Sequence, residues 1–119
     1  MATTRIATFA EFWPFYLRQH SKPGTRAWHY LGTSLTLLCL AAAFATRNLW
    51  LVAIMVVAGY APAWIGHFTV EKNRPATFRY PLWSLISDFR LYWMWLNRRL
   101  PGELAKAGVP SRRESVDRA

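Results

Sequence analysis

Three histidines and two carboxylates are the residues of this chain whose types and spacing could support chemistry. His67 and Glu71 stand four residues apart in the stretch GHFTVE, where an α-helix would place them on one face. Asp88 is the only acid in the last apolar segment, where an ionisable group is costly unless it has a function. His20 and His29 precede them in the chain. Imidazole suits iron and zinc, so these residues predict a metal site if the fold brings them together.

Two long uncharged segments must position these residues. Residues 27–46 and residues 48–70 contain no Asp, Glu, Lys or Arg, and as α-helices each would be about 30 Å long or slightly more, which matches the hydrocarbon core of a bilayer. Since only Arg47 and Asn48 remain for a turn, we expect two adjacent antiparallel helices. The sequence therefore predicts a transmembrane hairpin. The alternative is a soluble protein with two buried helices, which a chain of 119 residues could hardly cover.

The charges predict how the hairpin is oriented. Its open ends, near Arg26 and Glu71, lie on the side that carries nearly all the basic residues, whereas the closed end carries only Arg47. The positive-inside rule then puts the open ends and both termini in the cytoplasm. We predict an integral protein of the inner (cytoplasmic) membrane.

The hairpin also predicts that the histidines converge. His29 lies in the first turn or so of the first span and His67 about one turn before the end of the second, so an antiparallel pair places them at similar depth. The turn SKPGT lets His20 fold back over them, with Thr25 as the expected N-cap of the first span. Glu71 would then be a ligand, or would accept a hydrogen bond from an imidazole.

Two further apolar segments flank the hairpin. Residues 8–19 are aromatic and amphipathic, with Pro14 near a helix start or kink. Residues 81–99 carry Asp88 and Arg90 in the middle, which would be costly in a full span. We predict that both are helices at the cytoplasmic interface. The alternative is a third span in which Asp88 and Arg90 pair inside the bundle.

These segments predict an all-α fold, a membrane helical bundle in which a two-helix transmembrane hairpin is flanked by amphipathic, interfacial helices. We expect one domain over residues 1–100 and a polar, flexible tail over residues 101–119. The composition is 53% hydrophobic with seven tryptophans, which excludes a disordered protein and suits a membrane interface. The net charge of +9 would suit nucleic acid or anionic lipid. The two membrane-length segments favour membrane lipid and argue against nucleic acid.

The stretches that hold the histidines resemble two signatures of one protein family. FYLRQHSKPGTRAWHYLGT, residues 15–33, is similar to its N-terminal signature, and AWIGHFTVEKNRPATFRYPLWSLISDF, residues 63–89, is similar to its second signature. The family consists of small membrane proteins similar to the fungal 2-hydroxy fatty acid dioxygenase, the Mpo type, long catalogued as a domain of unknown function. The resemblance extends over most of the chain.

The resemblance implies an Fe(2+)-dependent enzyme that uses dioxygen to shorten a long-chain 2-hydroxy fatty acid by one carbon. The implied metal ligands are His20, His29 and His67, and Glu71, Asn73 and Asp88 also match the family pattern. We expect Glu71 and Asp88 to act in catalysis, and Arg26, Lys72 and Asn73 to bind the substrate. A cationic side chain would hold the carboxylate of the acid, while its acyl chain would stay among the apolar helices.

The residues alone leave two other functions open. One is a zinc hydrolase that uses the same three histidines, and the other is a non-enzymatic scaffold or lipid-binding protein whose histidines are interface anchors. The identity of the bound metal would separate the iron dioxygenase from the zinc hydrolase. Convergence of the three imidazoles would separate both enzymes from the scaffold. A homodimer would bury polar helix faces, but no GxxxG motif indicates an interface.

Overall fold

A computed structural model of the protein describes residues 5–109, and this range is helical without strands. The five α-helices of the range are α1 (Phe9–Arg18), α2 (Pro23–Thr46), α3 (Trp50–Ile65), α4 (Pro81–Leu96) and α5 (Leu100–Lys106). A π-helical turn over Gly66–Glu71 continues α3, and a 3-10 turn over Ala76–Phe78 precedes α4. The predicted all-α class is confirmed.

The chain divides into two compact units. Residues 22–75 form the first, which contains α2, α3 and the π-helical turn and which we call the hairpin unit. Residues 5–21 and 76–109 belong to the second, which contains α1, α4 and α5 and which we call the aromatic unit. The single domain over residues 1–100 stays a prediction.

The hairpin unit is a pair of antiparallel helices. Arg47 ends α2 in the left-handed conformation, with φ of 55°, and the chain then turns directly into α3. The direction follows from the contacts of three glycines, because Gly24 meets Val70, Gly32 meets Gly59, and Gly66 meets Trp28. Residue numbers fall along α2 as they rise along α3 and the π-helical turn. The predicted helical hairpin is therefore present.

Close backbone contact holds the two helices of the hairpin together. A Cβ atom on Gly32 would lie 2.6 Å from the carbonyl oxygen of Gly59, and one on Gly59 would lie 2.5 Å from Oγ1 of Thr36. Neither position has room for a larger residue. Small residues at such crossings let helix backbones approach closely. Such close packing stabilises helix pairs in a membrane, where the hydrophobic effect does not drive helices together.

Both hairpin helices are long and apolar enough to cross a membrane, by length and composition, as Pro23–Thr46 and Trp50–Glu71. Only 17% and 22% of their most apolar stretches are buried. Around the closed end of the hairpin, Phe44, Leu49 and Trp50 are 80%, 82% and 78% exposed. Core helices of a soluble protein would be mostly buried, and these are not.

The start of α2 differs from the prediction. Lys22 occupies the N-cap position and Pro23 is the first helical residue, whereas Thr25 lies inside the helix and is buried. Proline is well suited to the first helical position, because its φ is fixed near the helical value and its missing N–H needs no partner there. The proline therefore fixes the helix start two residues before the predicted cap.

The aromatic unit is built around Phe12, which is fully buried. Its ring lies 5.2 Å from that of Tyr80, 5.6 Å from that of Trp83 and 5.7 Å from that of Phe15, measured between centroids. Aromatic pairs at these separations contribute beyond their area burial. The α1 helix begins after Thr8, whose hydroxyl accepts a hydrogen bond from the backbone N–H of Glu11.

The charges in the middle of α4 are not simply paired with each other. Arg90 forms an ion pair with Glu103 of α5, at 3.5 Å, and its guanidinium lies over the ring of Trp13. Asp88 instead accepts a hydrogen bond from the hydroxyl of Tyr16 in α1. Whether α4 spans a membrane or lies at its surface stays a prediction.

The segment predicted as a flexible tail begins with structure. Leu100–Lys106 forms α5, and Leu100, Leu104, Ala107 and Val109 are buried. Leu100, Leu104 and Ala107 recur at spacings of four and three in an otherwise polar stretch, which is the pattern of a helix with one buried face. The rest of the predicted tail, residues 110–119, lies outside the described residues.

Candidate metal site

His29 and His67 lie side by side in the hairpin unit. Their ring centroids are 5.0 Å apart and the ring planes are nearly perpendicular, at 86°. Both side chains are buried. The antiparallel hairpin thus brings together two imidazoles that are far apart in sequence.

Glycine explains why the two rings come so close. Gly66, which precedes His67, is packed against Trp28, which precedes His29, so that a Cβ atom on Gly66 would lie 2.9 Å from Cβ of Trp28. The backbone just before His67 therefore packs directly against α2 just before His29. The spacing of the rings depends on this contact.

Hydrogen bonds fix the protonation pattern of both rings. Nδ1 of His29 lies 3.1 Å from the carbonyl oxygen of Thr25, and Nδ1 of His67 lies 2.6 Å from Oδ1 of Asn73. An oxygen of either kind accepts, so Nδ1 carries the proton and donates. In a neutral imidazole the lone pair is then on Nε2, which is the atom that would bind a metal.

His20 lies in the aromatic unit, and its imidazole has the same protonation pattern as those of His29 and His67. It is buried, its Nδ1 lies 2.6 Å from the carbonyl oxygen of Tyr16, and its ring stacks on the ring of Tyr16 with centroids 4.0 Å apart. His20 follows Tyr16 by four residues at the end of α1, so the carbonyl belongs to the preceding helical turn.

The three predicted ligands share the features that a metal site needs. Each is buried and directs Nδ1–H to an oxygen, which leaves the lone pair on Nε2. Together they form a group of three histidines that could bind a metal ion. Three imidazoles suit both iron and zinc, so this donor set alone does not identify the metal.

Glu71 joins the end of the π-helical turn to the start of α2. Its Oε1 accepts the backbone N–H of Lys22 at 2.9 Å, and the Lys22 ammonium donates to the carbonyl oxygen of Val70 at 3.0 Å. A carboxylate at a helix N-terminus satisfies unpaired N–H groups and favours the helix dipole. The segment that holds His67 and Glu71 is a π-helical turn instead of an α-helix, and residues four apart still lie near one face of such a turn. The role predicted for Glu71 toward His67 stays a prediction.

The three predicted substrate residues lie at the open end of the hairpin. The Arg26 guanidinium hydrogen-bonds the Tyr30 hydroxyl and is within electrostatic range of Glu71. Lys72 is exposed and ends the π-helical turn in the left-handed conformation, with φ of 60°. Asn73 follows and contacts His67. Their roles toward a substrate stay predictions.

Asp88 is bound to Tyr16 in the aromatic unit, and its carboxyl group is unusually hard to ionise. Burial raises the pKa of the Asp88 carboxyl from 3.8 to about 7, although the hydrogen bond from Tyr16 offsets part of this shift. A carboxyl group that titrates near neutral pH is suited to exchange protons.

Replacing Asp88 by Asn should change how stability depends on pH. Between about pH 4 and pH 7 the folded protein binds more protons than the unfolded chain, so the free energy of unfolding of the metal-free wild type should fall as the pH rises through this range and level off above it. Asn cannot ionise. Asp88→Asn should therefore flatten this dependence and exceed the wild type in stability at pH 8 by on the order of 1–3 kcal/mol. Urea unfolding at pH 5 and pH 8 measures the difference, and an equally steep fall in the variant would contradict the assignment.

The role of Tyr16 was not predicted from the sequence. This residue offers its carbonyl oxygen to His20, stacks on the same imidazole and donates its hydroxyl to Asp88. The spacing of four between Tyr16 and His20 was the available signal, because it places both on one face of a helix. The contact with Asp88 joins residues 72 positions apart and has no local signal.

Comparison with known proteins agrees with the resemblance noted in the sequence. A family model described as 2-hydroxy-palmitic acid dioxygenase Mpo1-like matches residues 6–100, a range that contains all three histidines, Glu71 and Asp88. Searches of curated proteins and of solved structures give no significant match. Because the matched range is most of the chain, this protein belongs to the Mpo1-like family.

Proposed function

We propose that this protein is a membrane-embedded, Fe(2+)-dependent dioxygenase that shortens a long-chain 2-hydroxy fatty acid by one carbon. The observation that carries the proposal is the group of three buried histidines, each with Nδ1–H donated to an oxygen, in a chain whose family is described as a 2-hydroxy-palmitic acid dioxygenase. A scaffold protein has no need for three buried imidazoles that each donate Nδ1–H and keep the lone pair on Nε2.

The histidines would hold the metal through Nε2. When bound, Fe(2+) supplies the redox centre that a reaction with dioxygen requires, and positions left open by three protein ligands suit such iron sites. The conversion balances when a 2-hydroxy acid and dioxygen give the acid one carbon shorter, carbon dioxide and water. Burial of all three rings excludes bulk water from the reacting atoms.

Charge at the open end of the hairpin supports binding of an acid. Arg26 and Lys72 lie at the two adjacent ends of the unit, and either can pair with the carboxylate of the substrate. Asn73 has an amide N–H group to offer to the substrate while its oxygen faces His67. Glu71 and Asp88 are the proposed proton-exchanging residues, and the burial that raises the pKa of the Asp88 carboxyl to about 7 suits Asp88 to this role.

The hairpin supports a membrane location. Its exposed apolar side chains, including Leu38, Phe44 and Val57, would contact lipid and the acyl chain of the substrate. We propose that the hairpin spans the inner membrane with its open end and both termini in the cytoplasm, as the distribution of basic residues indicates. The polar end of a membrane-dissolved acid would then meet the histidines at the interface.

The proposal is tested by metal content and by oxygen-dependent turnover. Protein purified anaerobically in detergent should contain iron at close to one ion per chain, and with 2-hydroxypalmitic acid it should consume oxygen and release the acid that is one carbon shorter. Mass spectrometry of the metals and of the fatty acids measures both. Bound zinc with hydrolytic activity would support a hydrolase instead, and protein that binds no metal even after reconstitution with Fe(2+) would favour a scaffold.

A further inference from the structure

Two hydrogen bonds connect His67 and Asn73. The backbone N–H of Asn73 donates to the carbonyl oxygen of His67 at 3.0 Å, and Nδ1 of His67 donates to Oδ1 of Asn73 at 2.6 Å. The left-handed conformation of Lys72 turns the chain back so that both bonds can form. Asn73 therefore holds the main chain of His67 with its own main chain and the imidazole with its side chain.

His67 is held differently from the other two histidines. His20 and His29 donate Nδ1–H to the carbonyl oxygen four residues earlier, on Tyr16 and Thr25, as a regular helix allows. His67 lies at the start of the π-helical turn and uses a side-chain oxygen instead. No substitution can remove a backbone carbonyl, but a substitution can remove the amide of Asn73.

We infer that Asn73 is a positioning residue that sets the protonation pattern and orientation of His67. Its Oδ1 keeps the proton on Nδ1 and so keeps the lone pair on Nε2, directed to the metal. The inference rests on the proposed metal site and extends it to a residue beyond the ligands. Loss of such a partner in a metal site typically lowers metal affinity by about 10–100-fold.

The variants are chosen to separate the amide oxygen from the rest of the residue. Asn73→Leu has a similar shape, keeps the backbone bond and lacks the acceptor, whereas Asn73→Asp keeps an oxygen at the same place. The control is Asn97→Leu in the aromatic unit, because Asn97 is exposed and its side chain bonds only a backbone carbonyl of its own helix among the contacts described for it. All four proteins, wild type included, are compared in one detergent.

The first measurement titrates metal-free protein with Zn(2+) alone, which needs no oxygen and no substrate. We expect Asn73→Leu to bind about 10–100-fold more weakly than the wild type, with Asn73→Asp and Asn97→Leu close to it. An affinity of Asn73→Leu equal to that of the wild type would overturn the inference.

The second measurement reads the imidazole directly, by nitrogen NMR of ¹⁵N-histidine-labelled, metal-free protein at pH 8. The His67 signals, assigned by their loss in His67→Ala, should show the proton on Nδ1 in the wild type and a shift toward Nε2 in Asn73→Leu. A proton on Nε2 in the wild type would overturn the inference. A wild type that binds no metal but shows the expected NMR pattern would contradict the proposed function while supporting the control of His67 by Asn73.

Discussion

Protein that carries His67→Ala is expected to lose its iron and, with it, the oxygen-dependent shortening of 2-hydroxy fatty acids. The substitution removes one of three proposed ligands and leaves two, which cannot hold the ion against solvent and detergent. Removing only a hydrogen-bond partner of a ligand costs about 10–100-fold in affinity, so loss of the ligand itself should exceed about 100-fold. Mass spectrometry of anaerobically purified protein measures the iron directly.

The matched control for this variant is Thr46→Ala, at the exposed closed end of the hairpin. It truncates one exposed side chain of α2 and should keep both iron and activity. His20→Ala and His29→Ala should behave like His67→Ala. Full metal content in all three histidine variants would show that the site is assigned wrongly.

Gly32→Leu should disrupt the hairpin and the metal site together. A Cβ atom at this position would lie 2.6 Å from a backbone oxygen of α3, which cannot move as the end of a side chain can. The helices must therefore separate, and overpacking of this kind costs typically about 1–3 kcal/mol. For a chain of this size that lowers the thermal midpoint by on the order of 5–15 °C, which circular dichroism in detergent would show. Separation of the helices also moves His29 away from His67, so iron content should fall.

Gly102→Ala provides the comparison. Gly102 lies inside α5, and a Cβ atom there would have no neighbour within 4 Å. Alanine favours a helix over glycine by up to about 1 kcal/mol, so this variant should be as stable as the wild type or slightly more stable. A midpoint for Gly32→Leu that matches that of Gly102→Ala would contradict the close crossing of α2 and α3.

The parts of the fold that sequence predicted are those with a strong local pattern. Two uncharged segments with a two-residue turn can form little else than a helical hairpin, and the antiparallel pair then brings His29 and His67 together. The turn SKPGT predicted that His20 joins them, and the three histidines form a group that could bind a metal ion. Their assignment to iron stays a prediction, because imidazole is also a good ligand for zinc.

The parts that sequence did not predict depend on single hydrogen bonds and on residue counts. The spacing of His67 and Glu71 gave no sign that this segment forms a π-helical turn, or that the Glu71 carboxylate accepts a hydrogen bond from the backbone N–H of Lys22 at the start of α2. Asp88 gave no sign that its partner is Tyr16. The short buried face of α5 was not predicted because this segment contains proline and charged residues, which are typical of a polar tail.

The π-helical turn makes this segment sensitive to length rather than to composition. Phe68 and Thr69 lie within the turn and are exposed, so exchanges of their side chains leave the bonds between His67 and Asn73 intact. Deleting one of them would shift everything that follows by one helical position and so rotate it about the helix axis relative to His67. The Asn73 amide would then face away from the imidazole, although no residue that touches the ring had been changed. Over these seven positions the number of residues, more than their identity, is what the site requires.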